Sequence, residues 1–213
     1  TLRFLLANTA DFDPARDAVP VAELFEIDRF ALARAQMMAA AAEADYGRYD
    51  FHLVVQRLQT FCSEDLGGFY LDVLKDRLYT ARADSRARRS AQTALALIRD
   101  TLLKLMAPIL SFTAEEAWLA RYPSRAGSVH LITFPKIPDT WRDEALAVKW
   151  ERVRAVRRAV TGALELERAG KRIGSSLDEA LSGRVYETLI RLPLKAGNRS
   201  DGLQPLRDLD SLR

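Results

Sequence analysis

FCSEDLGGFYLDVLKDRLYTARADSRARRSAQTALALIRDTLLKLMAPILSF, residues 61–112, decides the fold. In its second half Ala87, Ala91, Leu95, Ile98, Leu102 and Leu105 recur at steps of three and four, which places them on one stripe of a long helix. Arg89, Thr93, Asp100 and Lys104 fall opposite that stripe. Pro108 lacks a backbone donor and disfavours helix in the residue before it, so the helix is expected to end near Met106 or Ala107. In the first half, Gly67 and Gly68 are expected to interrupt the chain ahead of a shorter helix, residues 69–79, with Tyr70, Val73, Leu74 and Leu78 on one side. Between the two halves lies a polar turn. From Lys75 to Arg89 six bases (Lys75, Arg77, Arg82, Arg86, Arg88, Arg89) face two acids (Asp76, Asp84), a composition suited to a polyanion.

Helical spacing continues on both sides. Phe51, Val54, Val55, Leu58, Phe61 and Cys62 share a face, and a helix over residues 20–45 turns Leu24, Ile27, Ala31, Ala35 and Met38 inward. After Pro108, Thr113 and Glu116 have the spacing of a capping box, which predicts a short helix to about Arg121. Residues 122–143 carry Pro123, Gly127, Pro135 and Pro138 around the apolar run 129–134, an irregular segment that crosses the bundle. Helical pattern returns over 143–169 and stops at Gly170. The fold class that follows is all-α: a helical bundle over 1–121, the crossing segment 122–143, a C-terminal helix and basic loop over 144–180, and a divergent tail over 181–213, expected to be loosely attached.

At 213 residues and 48% hydrophobic content, the chain can build one core with an appendage. The net charge is only +3, with 26 arginines against 6 lysines, so the placement of the cations says more than their number. Residues 11–28 hold six acids and one arginine, whereas 149–158 (KWERVRAVRR) hold five bases and one acid. The lone Cys62 excludes an internal disulfide and a cysteine-built zinc site, and reads as a buried core thiol. No apolar stretch is long enough to span a bilayer, and the chain reads as cytoplasmic.

Six blocks in order carry a family resemblance: TLRFLLANTADFDP, DFHLVVQRLQTFC, GGFYLDVLKDRLYT, DSRARRSAQTAL, LMAPILSFTAEEAW and KRIGSSLDEA. Together they resemble the anticodon-binding region of isoleucyl-tRNA synthetase, a class I aminoacyl-tRNA synthetase, over residues 1–180. Valyl- and leucyl-tRNA synthetases share parts of LMAPILSFTAEEAW and remain the nearest alternatives. The resemblance implies a bundle that binds the anticodon arm of an isoleucine tRNA, docked to a catalytic domain that uses ATP. That domain's His-Ile-Gly-His and Lys-Met-Ser-Lys-Ser signatures do not occur in these residues, so the chain is expected to be a fragment that does not itself activate an amino acid, with no cofactor of its own.

An anticodon arm offers phosphates and splayed bases, which arginine meets by bidentate contact and by stacking. Arg82, Arg86, Arg88 and Arg89 are the leading tRNA-binding candidates, and replacing Arg86 and Arg89 is expected to leave folding intact. The competing reading pairs the cluster internally with Asp72, Asp76 or Asp84, or docks it on another domain, leaving a structural fragment without RNA affinity of its own. Arg154, Arg157 and Arg158 on the C-terminal helix, then Lys171 and Arg172 in the loop with Gly174, Ser175 and Ser176, form a second basic group. On that helix Val153, Val156, Val160 and Leu164 mark the expected core side. His52 and His130 show no metal-ligand spacing, Asp72 and Asp76 are expected to pair with Lys75 and Arg77, and Trp141 is the tryptophan to test for base stacking.

Overall fold

A computed structural model of the chain describes residues 1–123 and 127–171. Its helices are α1 (Leu2–Asn8), the single turn α2 (Pro14–Asp17), α3 (Glu26–Gly47), α4 (Phe51–Thr60), the short α5 (Leu71–Val73) and α6 (Lys75–Tyr79), α7 (Arg86–Met106), α8 (Ser111–Arg121) and α9 (Glu144–Ala169). Among the described residues there is no strand, and the fold is all-α as expected. Two compact units divide between Ala147 and Val148, so α9 belongs mostly to the second. Arg172 and the residues from 181 onward lie outside the described residues.

α7 is the axis of the first unit. The predicted stripe is its buried face: Ala91, Leu95, Ile98, Leu102 and Leu105 are all fully buried. α3 runs parallel to it, since Asp28 meets Ser90 at one end and Tyr46 meets the Leu105 carbonyl at the other. α1 runs the other way, its start at Leu2 lying beside a cavity shared with Met106 and its end at Asn8 meeting Gln92. The stripe is wider than its spacing predicts. Gln92, Thr93, Arg99 and Thr101 are buried as well, because α1 and α3 flank α7 and cover more than one face. Helix α3 starts later than expected, at Glu26, after a single 3-10 turn over Val21–Glu23.

The Gly67-Gly68 break does not occur. Residues Phe61–Tyr70 form a π-helical stretch that joins α4 to α5 without interruption, and the Leu71 amide reaches back five residues to the Leu66 carbonyl. In this wider turn a Cβ on Gly67 or Gly68 would stand only 3.2 Å from the Cys62 or Ser63 carbonyl oxygen. The glycines permit the wide turn by lacking that atom. Arg34 from α3 holds Asp65 of this stretch through two hydrogen bonds.

The capping box is also absent. Met106 O accepts from the amides of Ile109 and Leu110, so the chain turns immediately after α7 and α8 begins at Ser111, which leaves Thr113 inside the helix. The neighbouring Glu115 serves the crossing segment instead, accepting at 3.0 Å from both Ser128 Oγ and the Val129 amide. Val129 then packs with Ala107 and Ala114, and Phe134 stacks on Tyr46 with ring centroids 5.1 Å apart. Trp141 is buried, which removes it as a base-stacking candidate. Cys62 is half-buried rather than a core thiol, and Phe51 and Val55 of its stripe are exposed.

Candidate nucleic-acid interface

Ser85 caps α7, its hydroxyl accepting from the Arg88 amide, and the first turn that follows carries Arg86, Arg88 and Arg89 with no acid. Cations at a helix N-terminus oppose the helix dipole, so this arrangement is unfavourable unless anions compensate. The compensating anions come from the acidic segment near the start of the chain. Arg88 Nη2 lies 3.0 Å from Asp11 Oδ2, Arg89 Nη2 3.3 Å from Asp17 Oδ2, and Arg86 Nη2 3.4 Å from Glu23 Oε2. Arg82 pairs with Asp84 at 2.9 Å. Of the three acids expected to hold the cluster, Asp84 holds Arg82; Asp11, Asp17 and Glu23 hold the other three arginines.

Exposure separates the four arginines into two kinds. The side chains of Arg82 and Arg86 are 84% and 63% exposed, against 21% and 14% for Arg88 and Arg89. Arg89 also donates to Gln92 Oε1 at 2.7 Å, and Gln92 in turn holds the Asn8 carbonyl and Asp11. Arg88 and Arg89 therefore fasten the acidic segment to α7. Arg89 thus has a structural role beside any binding role, one that the expectation for the Arg86 and Arg89 pair leaves out. Asp17 itself sits well below the usual carboxylate range, chiefly through its hydrogen bonds from Arg16, with Arg89 adding to the effect.

Behind the turn lies a buried polar cluster that sequence reading missed. Asp28 is fully buried and accepts from Tyr70 Oη at 2.8 Å, Ser90 Oγ at 2.5 Å, and both terminal nitrogens of Arg77 at 3.2 and 2.6 Å. Arg77 thus pairs with Asp28 and not with Asp76 one residue away. Lys75 does pair with Asp72, at 2.9 Å. Arg77 also donates to the Ala87 carbonyl in the first turn of α7 and lies 4.9 Å from the Phe25 ring centre. Burial, then the adjacent Asp28 charge, pushes the Tyr70 phenol well above its ordinary value. A second such cluster surrounds the fully buried Arg99, which donates to Thr9 Oγ1 and Tyr122 Oη and pairs with Asp100. The cue for both was charge inside otherwise apolar helical pattern.

The second basic group is more divided. Arg154 is mostly buried and pairs with Glu151 at 3.1 Å; Arg157 is half-buried; Arg158 is exposed. Lys171 is exposed, in a left-handed backbone conformation with φ of 53°. Arg172 and the loop after it lie outside the described residues. The expected core side of α9 is poorly covered, with Val153 41% exposed and Val156, Val160 and Leu164 half-buried. His52 and His130 are both exposed, and no metal-binding cluster occurs among the described residues.

The fold and this surface define a helical module with a cationic turn at one end of its axis. The family profile described as the anticodon-binding domain of tRNA ligase matches residues 28–182. Similar proteins include the isoleucine–tRNA ligase of Azoarcus sp. (strain BH72), 56% identical over 87% of this chain and 20% of its own length. Those of Bordetella pertussis (58% identical, 83% of this chain, 19% of its own length) and Paraburkholderia phymatum (53%, 97%, 21%) are similar as well. The chain belongs to the anticodon-binding domain family of tRNA ligases. It spans about a fifth of the length of the relatives it matches.

Proposed function

We propose that the chain is the part of an isoleucine–tRNA ligase that grips the anticodon arm of its tRNA, with the exposed Arg82, in the turn before α7, and Arg86, in its first turn, as the phosphate contacts. The supporting observation is the pairing state of these two side chains. Arg82 is held by Asp84, and Arg86 by the carboxylate and backbone carbonyl of Glu23; the two carboxylates are themselves 70% and 59% exposed. Exposed pairs contribute about 0 to 1 kcal/mol, so a phosphate can replace either carboxylate at small cost. Arg88 and Arg89, with Asp11 and Asp17, hold the turn in place, and Arg77 with Asp28 supports it from below. Arg154, Arg157, Arg158, Lys171 and Arg172 form a second contact group in this reading, closer to the stem of the arm.

The work of this region is to bind and orient. In a ligase of the relatives' length, ATP-dependent activation of isoleucine and its transfer to the tRNA belong to other residues, and the protein acts in the cytoplasm. The competing reading, a structural or docking fragment without RNA affinity, draws on the fact that all four turn arginines have carboxylate partners. Titrating labelled isoleucine tRNA with the 213-residue chain at moderate salt separates the two. Saturable binding weakened by added salt is expected, and no binding even at low salt would favour the docking reading.

A further inference from the structure

Helix α3 ends in a geometry that its sequence does not favour. The Asp50 amide donates to the Asp45 carbonyl at 2.9 Å and the Tyr49 amide to the Tyr46 carbonyl at 3.0 Å, the paired bonds of a Schellman turn. Such a turn needs a left-handed residue just after the helix, a position that glycine fills most often because it has no Cβ. Here Tyr49 holds it, with φ of 61°. A bulky side chain in this conformation is strained, and burial does not offset the strain, since Tyr49 is 79% exposed. Ion pairs brace the turn instead: Arg48 meets Asp45 on one side of Tyr49 and, at 3.1 Å, Asp50 on the other. The outcome is an exposed aromatic ring held in a fixed place, and strain kept at a surface position of this kind points to function.

We infer that Tyr49 is a stacking platform for an unpaired RNA base, with Arg48 placed to meet the adjoining phosphate. The inference rests on the reading of the chain as an RNA-binding module. Three observations select this ligand. Tyr49 meets Phe51 edge to face, with centroids 6.0 Å apart and planes at 90°; this contact covers at most one face of one ring and leaves others open to a base. The pair is anchored from behind, because Phe51 lies 6.0 Å from Tyr46, which stacks on Phe134 and donates to the Leu105 carbonyl. Cations stand beside the rings: Arg48 and Arg57 share the fully buried Asp45, so one carboxylate serves two guanidinium groups. The other acid on Arg48, Asp50, is 38% exposed, and a phosphate can displace it as it can displace Asp84 from Arg82. A paired base hides its faces in the duplex stack, so the ligand is single-stranded. Helix α3, 22 residues long, sets the platform about 33 Å from the arginine turn, where it meets a different part of an RNA from that held by Arg82 and Arg86.

The probe is an oligouridylate of about 12 nucleotides carrying 2-aminopurine at its centre, whose fluorescence falls when that base stacks. The 213-residue chain should bind it with quenching. Tyr49→Gly should bind about tenfold more weakly and lose the quenching, while its melting temperature, relieved of the left-handed strain, does not fall. Tyr49→Phe keeps the ring and should keep both affinity and quenching; Tyr49→Leu keeps apolar bulk without a ring and should lose both. Pairing the probe with oligoadenylate should remove the dependence on Tyr49. Equal affinity and quenching in the unsubstituted chain, Tyr49→Gly and Tyr49→Leu would overturn the inference, as would absence of quenching by the unsubstituted chain at low salt. If Tyr49→Gly alters only self-association and leaves RNA affinity unchanged, the ring belongs to a protein contact and the inference fails. Isoleucine tRNA, titrated in parallel, reports on the functional reading: failure to bind it, with the oligouridylate still quenched through Tyr49, would count against tRNA recognition and not against the platform.

Discussion

Asp28 shows how this core tolerates a buried charge. Its two oxygens receive four hydrogen bonds from Tyr70, Ser90 and Arg77, and those donors come from the π-helical stretch, α7 and α6. Removing one partner of a buried pair leaves the other uncompensated, so Asp28→Asn should destabilise the chain by about 3 to 5 kcal/mol in chemical denaturation. A loss below about 1 kcal/mol would mean that Arg77 finds another partner at little cost. The buried phenols carry a pH signature of their own. Tyr46, which donates to the Leu105 carbonyl at 2.6 Å, is pushed by burial from 10.0 up to about 12, and Tyr70 and Tyr122 are raised as well, chiefly by burial. A raised folded value means the native state keeps its proton longer than the unfolded chain. Stability should be unaffected by these groups below pH 10 and fall between 10 and about 12, with Tyr46→Phe reducing the slope in that window. A denaturation midpoint that holds constant from pH 9 to 12 would contradict the assignment.

At the scale of elements, the long apolar stripe was legible because α7 is covered by neighbours along its whole length and spacing alone sets its inward face. Ile98, fully buried at its centre, is the position to test: Ile98→Ala should cost about 2 to 5 kcal/mol. The ends of elements were harder to read. Gly67 and Gly68 weaken an ordinary α-helix, but a π-turn needs the space they leave, and this requirement depends on the Cys62 and Ser63 carbonyls rather than on any local pattern. Thr113 and Glu116 have capping spacing, yet the tight turn at Met106 starts α8 before Thr113 is reached. Arg99 went unnoticed for a related reason. It falls within the apolar pattern of α7, and only the folded bundle places Thr9 and Tyr122 against it.

For the whole molecule, the uneven distribution of charge along the sequence was the best guide. The acids of residues 11–28 and the bases of 77–89 meet at one end of the axis, through Arg77–Asp28, Arg86–Glu23, Arg88–Asp11 and Arg89–Asp17. The sequence displayed both runs but not their contact, which needs α1 and α3 folded against α7. Among the described residues no helix is long and apolar enough to cross a membrane. The functional reading depends on what the charged end binds. The most direct measurement is the salt dependence of isoleucine tRNA affinity for the chain and for its Arg82→Gln, Arg86→Gln variant. If these exposed arginines meet phosphates, the variant should bind more weakly, its slope of log affinity against log salt should be shallower by about 1 to 2, and its melting temperature should be nearly unchanged. An affinity and slope equal to those of the unsubstituted chain would contradict the account and move the RNA contact away from this turn.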